Sequence, residues 1–583
     1  MLHCHVPYCR RAGRWPFGEE WFYEAAAETY LPLLDLLGRL EERGVPVRLT
    51  VGLTPILLEQ MADPYFKDGL EEYMELRADA ALADEKRFGY HGKWHLAYLA
   101  RLYREAYLRA LEAYRHRYGR DLAGAFRRFR ESGCLEILGG AATHGYLPLL
   151  AQPGSVRLQL EAGVNTYRRY FGRDPEGLWL PECAYRPGLE EWPARLGTRY
   201  FFLDSHAIEG ASPAKDSGAS SAMFLDNHPR EAAERGAGGE GPARGVAGPG
   251  TTFLPYYLAG PGGPGNAGTE GTGAARPDGP GAAGGGPPRR VAVFGRNREA
   301  SAQVWSRYLG YPGDAAYREC HKRYEHSGLQ YWRITGPGVG LGDKEVYDPA
   351  EAARRVEAHA AHFAGLVEGL LDGFRRRHGR HGIVVSAYDG ELFGHWWFEG
   401  PAWLERVLEY LALHPRVELT TPAAFLCSHP PRESITPGES SWGERGNHFT
   451  WKGPATEWMW PLIHGAEDRM RSLAERFPAA TGVTRRALNQ AARELLLLQS
   501  SDWGFLITTG QAGEYAARRF REHLERFGRL ASALEGVGED IPATGEDVLA
   551  AAGDSFLAYL QELEETDNPF PDIDYRWAIP LTG

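Results

Sequence analysis

Short apolar runs alternate with longer amphipathic ones along most of this chain. The first sixty residues set the pattern. His3-Cys4-His5 ends a short strand and a loop follows. Leu33, Leu34, Leu37 and Leu40 then fall at helical spacing, with Gly44 placed to end the helix. Val47, Leu49 and Val51 alternate, which predicts a strand. Residues 56–132 are rich in Glu, Arg, Ala, Leu and Tyr and poor in strand signals, so they read as a helical insertion. The alternation then resumes. Strands are predicted over 135–138, 178–182, 200–204, 291–294 and 383–387, with helices over 154–171, 188–197 and about 349–378. Apolar strands separated by helices predict a parallel sheet covered on both faces. Seven or eight such units predict a closed or nearly closed β/α barrel.

Two stretches break the pattern. Residues 209–289 are dominated by Gly, Pro and Ala, and such a segment buries too little apolar surface to offset its ordering entropy. It reads as a disordered insertion in a surface loop. Phe253-Leu254-Pro255-Tyr256-Tyr257 is an apolar island within it, predicted either to dock on the barrel or to reach over the cleft. Residues 429–583 carry periodic helices such as 484–499 and 511–532, predicting an all-helical C-terminal domain. The barrel is thus expected in three parts, 1–55, 133–208 and 290–428.

Composition narrows the classes. A net charge of -12 argues against a nucleic-acid surface, which needs clustered Lys and Arg. A neutral polymer asks for no such charge. Apolar stretches stay short of the roughly 18 residues of a membrane span, and the N-terminus lacks the basic head and apolar run of a secretory signal. The six cysteines form no C-x-x-C pair, which argues against zinc-ribbon and redox motifs and predicts a reducing cytoplasm. The 16 Trp and 29 Tyr exceed what a core needs. Flat rings serve as platforms for the apolar faces of sugars, though many simply pack.

In a β/α barrel the reacting groups sit at the C-terminal ends of strands. Those ends carry His3 and His5, His144, Glu182, Asp204 with His206, Arg296, and Asp389 with Glu391. Two chemistries fit this inventory. The histidines and an Asp could hold a divalent metal for hydrolysis. Alternatively, one carboxylate attacks an anomeric carbon while the other protonates the leaving oxygen.

Several motifs carry a family resemblance. His3-Cys4-His5-Val6-Pro7-Tyr8 with Trp15-Pro16-Phe17-Gly18-Glu19-Glu20-Trp21 resembles the first motif of family-57 glycoside hydrolases. Gly139 to His144 resembles the second, and Trp179-x-x-Glu182-Cys183-x-Tyr185 the third, which carries the nucleophile. The run from Tyr388-Asp389-x-Glu391 to Phe398-Glu399-Gly400 resembles the fourth, which carries the acid/base Asp. Ser501-Asp502-Trp503-x-Phe505 resembles the fifth. Gln303-Val304-Trp305-Ser306, Gly310 to Asp314, and Ser441-Trp442-Gly443 with Trp451 resemble the 1,4-α-glucan branching enzymes of that family.

The resemblance implies an incomplete (β/α)7 barrel with a helical insertion and a helical C-terminal domain. It implies a retaining transglycosylase that cleaves α-1,4 bonds and forms α-1,6 branches, with Glu182 as nucleophile and Asp389 as general acid/base. It implies no metal and no organic cofactor, and an α-1,4-glucan as substrate; the chain is separately expected to act as a monomer. His3, His5 and His144 would hold the sugar beside the scissile bond. Trp21, Trp305, Trp442 and Trp451 would line the subsites, and Asp502 and Trp503 would complete the site from the helical domain. Arg296 reads equally as a partner to the nucleophile and as a structural ion pair. The same carboxylates serve family-57 α-amylases and 4-α-glucanotransferases, and a metal-dependent polysaccharide deacetylase is a reading from another class.

Two departures carry expectations. Only Met1 and Leu2 precede His3 where family members have more residues, so either the natural start lies upstream or the first strand is missing. In the branching enzymes a loop in the region of 209–289 carries a Tyr over the cleft, a part that falls to Tyr256 or Tyr257 here.

Overall fold

The computed structural model describes residues 1–213, 250–258, 290–306, 310–536, 547–549 and 553–581. Its centre is a run of seven parallel strands: β1 (Leu2–Cys4), β2 (Leu49–Leu53), β3 (Leu135–Gly140), β4 (Gly177–Trp179), β5 (Tyr200–Leu203), β6 (Ala292–Gly295) and β7 (Tyr388–Asp389). Their spatial order is β6-β5-β4-β3-β2-β1-β7. All five residues of β2 are buried, as are all four of β5 and of β6. Burial on both faces explains why these strands read as unbroken apolar runs.

The first strand is short but present. Leu2 pairs with Val51 on one side and Tyr388 on the other. The last strand differs from expectation. The apolar run 383–387 makes no ladder, and regular pairing begins only at Tyr388. The run meets the opposite edge through single bonds instead. Asn297 N–H donates to Val385 O at 2.7 Å, and Ile383 N–H to Phe253 O at 2.9 Å. The ring of strands is therefore left without a continuous ladder between β6 and β7.

The apolar island resolves in favour of docking. Tyr256–Leu258 forms a strand antiparallel to β6, with Tyr256 opposite Val293 and Tyr257 opposite Ala292. A further strand, Ser434–Thr436, pairs beyond it. This corrects the expectation that Tyr256 or Tyr257 overhangs the cleft: both are held in the sheet, opposite Val293 and Ala292 and so short of the strand end at Gly295. Isolated in Gly/Pro-rich sequence, the island shows no flanking pattern from which a strand could be read. The rest of the predicted disordered loop, 214–249 and 259–289, lies outside the described residues.

Helices cover the sheet. Glu19–Ala25 runs through a π-helical turn, Ala26–Tyr30, into Leu31–Glu42. The helical insertion contains Pro55–Ala62, the antiparallel pair Pro64–Tyr90 and Trp94–Glu112, and Leu122–Glu131. Asp63 and Asp121 cap two of these by accepting backbone N–H bonds. Pro153–Phe171 packs directly on β3. A Cβ at Gly163 on that helix would sit 2.0 Å from Gly140 O, so the close approach requires glycine there. Pro349–His378 ends in a left-handed Gly379. Beyond it lie Met459–Arg476, Gly482–Leu498, Ser501–Thr509, Gly513–Glu535 and Asp554–Thr566. These share one apolar core with β4, β5 and the Pro153–Phe171 helix, which presses them against the barrel. Among the described residues no helix is long and apolar enough to cross a membrane.

Candidate active site

Each barrel strand delivers a polar side chain to one rim. β1 leads to His3 and His5, β2 to Thr54, β3 to His144, β4 to Glu182, β5 to Asp204, β6 to Arg296, and β7 to Asp389. The Ser501–Thr509 helix points its first turn at the same place and adds Ser501 and Asp502.

Glu182 is the most constrained of these. It sits on a single helical turn after β4 with φ 62° and ψ 22°, the left-handed region that non-glycine residues seldom occupy. Cys183 beside it has φ 49°. Such strain persists only where surrounding bonds over-determine it. Here Trp442 N–H donates to Glu182 O at 3.0 Å, and Cys183 N–H to Leu180 O at 3.0 Å. The carboxylate is held as firmly. Trp442 Nε1–H donates to Oε2 at 2.6 Å, and Ser501 Oγ–H reaches Oε1 at 3.3 Å. Burial pushes the Glu182 carboxyl up to about 7, and the Asp502 charge adds to this. The Trp442, His5 and Ser501 interactions pull the other way.

Asp389 differs from its neighbour Glu391. Glu391 accepts the His5 backbone N–H at 3.0 Å and the Tyr30 hydroxyl. Both contacts are made through the same oxygen, and they anchor the side chain to the backbone after β1 and to the Glu19–Glu42 helical run. No hydrogen bond among the described residues holds the Asp389 carboxyl. Burial, then the charges of Glu391 and Glu182, hold its pKa well above the usual carboxylate range, against the opposing pull of His5 and Arg296. Of the two carboxyls, Glu391 is the one tied to its surroundings and Asp389 the one left without such bonds.

The histidines form a stack. His5 and His144 have ring centroids 4.1 Å apart, and His3 lies 5.0 Å from His144 and 5.0 Å from Trp179. His5 bonds Thr54 Oγ1 through Nδ1 at 3.0 Å and the Asp502 carboxylate through Nε2 at 3.0 Å. Burial works to lower the His5 pKa, but the Asp502, Glu391 and Glu182 charges together raise it. His3 and His144 are held well below the ordinary histidine value, by burial first and then by the neighbouring imidazoles. Among the described residues, the side chains grouped closely enough to hold a metal are Glu319, Cys320 and His321, and Glu494, His523 and Asp567. Neither group contains a histidine of this site.

The other predicted site residues divide by exposure. Trp305 is 40% exposed and stands edge-on to Trp442, with ring centroids 6.2 Å apart. Trp21 is partly buried against Tyr515 and Phe17. Arg296 pairs with Asp204 at 2.7 Å and lies over the Trp442 ring, 5.5 Å from its centroid. It is therefore an ion-pair partner of Asp204, which also takes His206 at 2.8 Å, and not of Glu182.

Two tryptophans are corrected from sugar contacts to packing. Trp451 is 2% exposed and stacks on Tyr146 at 4.4 Å, beneath Gly443, where a Cβ would meet its ring at 2.6 Å. Trp503 is fully buried and donates to Leu497 O at 2.8 Å. Each supports a neighbour that does face the site: Trp442 and Asp502. His3 and His144, 3% and 4% exposed, likewise stand behind Glu182 and His5 rather than opening to the cleft.

Sequence reading missed Ser501, Thr54 and Tyr30. Ser501 precedes Asp502 within a recognised motif, and Thr54 directly follows the strand Leu49–Leu53, so both were legible. Tyr30 gave no signal, since its contact with Glu391 spans 361 residues.

Comparison with known proteins follows this geometry. A family model described as glycosyl hydrolase family 57 matches residues 1–261, and one described as 1,4-alpha-glucan branching enzyme, C-terminal, matches residues 462–577. The chain is 41% identical over 596 residues to a 1,4-alpha-glucan branching enzyme of Thermococcus kodakarensis, covering 98% of this chain and 77% of that protein. The crystal structure of that branching enzyme, in complex with glucose and additives, aligns with a TM-score of 0.82 at 40% identity, over 100% of this chain and 96% of the other. The branching enzyme of Pyrococcus horikoshii aligns at 0.80 with 40% identity, again over 100% and 96%. The α-amylase AmyC of Thermotoga maritima aligns at 0.78 with 29% identity, over 99% and 98%.

Proposed function

Since the chain belongs to glycosyl hydrolase family 57 and is a branching enzyme of that family, we propose that it builds α-1,6 branches through Glu182 and Asp389 by a retaining, two-step mechanism. Glu182 attacks the anomeric carbon of an α-1,4 linkage as Asp389 gives its proton to the departing 4-oxygen. The segment is then held as an ester on Glu182. Asp389, now a carboxylate, takes the proton from a 6-hydroxyl as that oxygen displaces the ester. Cleavage and transfer thus balance without net water.

One contrast carries this assignment. Glu182 is fixed by two side-chain donors, while Asp389, across the rim, is half-buried and its carboxyl takes no hydrogen bond among the described residues. A nucleophile must be held as the charged form, and a general acid must keep its proton near neutrality. The exposed Trp305 and its neighbour Trp442 are suited to stack a glucan and keep water from the ester. The six cysteines without a C-x-x-C pair support action in a reducing cytoplasm, and we take the working unit to be the single chain, which gel filtration with light scattering would test.

Amylose incubated with the protein tests the function. Branching produces new α-1,6 signals in the proton NMR spectrum with few new reducing ends, and Glu182→Gln produces neither. Reducing ends alone would mean hydrolysis, as in an α-amylase. Altered chain lengths alone would mean α-1,4 transfer. Loss of activity with a chelator would revive the metal-dependent reading.

A further inference from the structure

The hydroxyl of Ser501 lies between two groups of the site. Its Oγ is 3.3 Å from Glu182 Oε1 and 2.8 Å from His144 Nδ1. His144 Nε2 is in turn 3.0 Å from His3 Nε2. The His3 and His144 rings are buried, and burial keeps both in the neutral form, so each carries one ring proton. His3 Nδ1 is buried and has no partner among the described residues.

Two proton arrangements satisfy these contacts. In one, Ser501 donates to Glu182, His144 Nδ1–H donates to Ser501, and His3 Nε2–H donates to His144. The chain then ends on a bare nitrogen at His3 Nδ1. In the other, every donor reverses: no proton faces Glu182, and the chain ends on a buried N–H that nothing accepts. Orphaned buried N–H donors are rarer in proteins than under-satisfied acceptors. An ionised carboxylate can only accept, so an oxygen lone pair aimed at Glu182 is also unfavourable. Both considerations select the first arrangement.

We propose that Ser501 is a positioning residue for the nucleophile, its hydroxyl aimed at Glu182 Oε1 by a fixed proton chain through His144 and His3. The inference rests on Glu182 being the nucleophile. The hydroxyl and the Trp442 indole then grip one oxygen each, favour the ionised carboxylate, and fix its rotation. Because Ser501 opens a helix of the C-terminal region while His3 and His144 come from the barrel, the nucleophile is set only when the two are docked. The other charged or titratable groups facing Glu182 are Asp502 from that helix, His5 after β1, Asp389 from β7, His144 and Tyr146 after β3, and the adjacent Cys183, with Arg296 beyond the Trp442 ring.

The test is kcat/KM against pH on soluble amylose for Ser501→Ala, Ser501→Cys and Ser501→Thr, with melting curves confirming folding. Removing the donor moves the acid limb to higher pH, with a loss of about tenfold to a hundredfold at the low-pH side that shrinks as pH rises. Ser501→Cys keeps the volume but donates weakly, so it follows Ser501→Ala. Ser501→Thr keeps the hydroxyl and restores the limb. An equal loss at every pH in the Ala and Cys variants, or no loss, overturns the inference, since a packing role moves no limb. Glu182→Gln separates the two readings. If it turns over normally, the nucleophile assignment itself is wrong. If it is inactive and the limb does not move, only the role of Ser501 fails.

Discussion

The indole N–H of Trp442 meets Glu182 Oε2 at 2.6 Å, and the backbone N–H of the same tryptophan meets Glu182 O at 3.0 Å. One residue from the loop before the helical region therefore fixes both the strained backbone and the carboxylate of Glu182. Trp442→Phe keeps an aromatic ring, smaller than the indole, and removes the donor. Hydrogen bonds to charged groups contribute roughly 1.5–3 kcal/mol, so kcat/KM is expected to fall about tenfold to a hundredfold. Steady-state kinetics on amylose, beside an unchanged melting curve, would check this. A smaller loss than for Trp305→Phe would mean that the ring face matters more than the donor.

The pH dependence has a defined sign. In the proposed mechanism Glu182 attacks as the ionised carboxylate, and its carboxyl is pushed up to about 7, so the rate is expected to fall as pH drops through that region. Asp389 must be protonated, and its carboxyl is held well above the ordinary range, so the rate falls again at higher pH. The two interact, so a measured bell belongs to the pair. A plateau reaching down to pH 5 would contradict the buried environment of Glu182.

The same shift makes a stability prediction. A carboxyl raised in the folded state contributes stability that is fully present below its unfolded value near 4.5 and is lost as pH rises through about 7. Glu182→Gln lacks that loss. It should melt higher than the parent at pH 8, by a difference of up to about 3 kcal/mol, and close to the parent at pH 5. Scanning calorimetry at the two pH values reads the difference directly.

Tyr256 serves as a control on the loop expectation. It is 3% exposed, and its hydroxyl accepts the Thr251 N–H at 2.9 Å. Tyr256→Ala should cost about 3 kcal/mol, as large-to-small core changes do. The ratio of transfer to hydrolysis in the protein that remains folded should not change. A shifted ratio would place this residue over the cleft after all.

The barrel was legible because its strands are buried on both faces and so appear as short apolar runs, and because Pro349–His378 carries its own cap and stop. The strand at Tyr256–Leu258 was not, since a three-residue strand inside Gly/Pro-rich sequence has no period to detect. At the site, the carboxylates and histidines stood out as polar residues at strand ends. Which tryptophans open to the cleft did not, because the burial that separates Trp305 from Trp503 is set by tertiary packing that neighbouring residues do not announce. Nor could spacing tell Asp389 from Glu391, whose roles diverge only through Tyr30 and the His5 backbone.

Asp389→Asn offers the most direct test of the two-carboxylate mechanism. With an α-maltosyl fluoride, whose leaving group needs no protonation, this variant should form the glycosyl ester but lack the base that releases it. Mass spectrometry of the quenched and digested protein is predicted to find the sugar on the peptide containing Glu182, and to find none in the Glu182→Gln, Asp389→Asn double variant. An adduct on another carboxylate, or fluoride released at the parent rate with no adduct at any time, would contradict the assignment of Glu182 as nucleophile and Asp389 as acid/base.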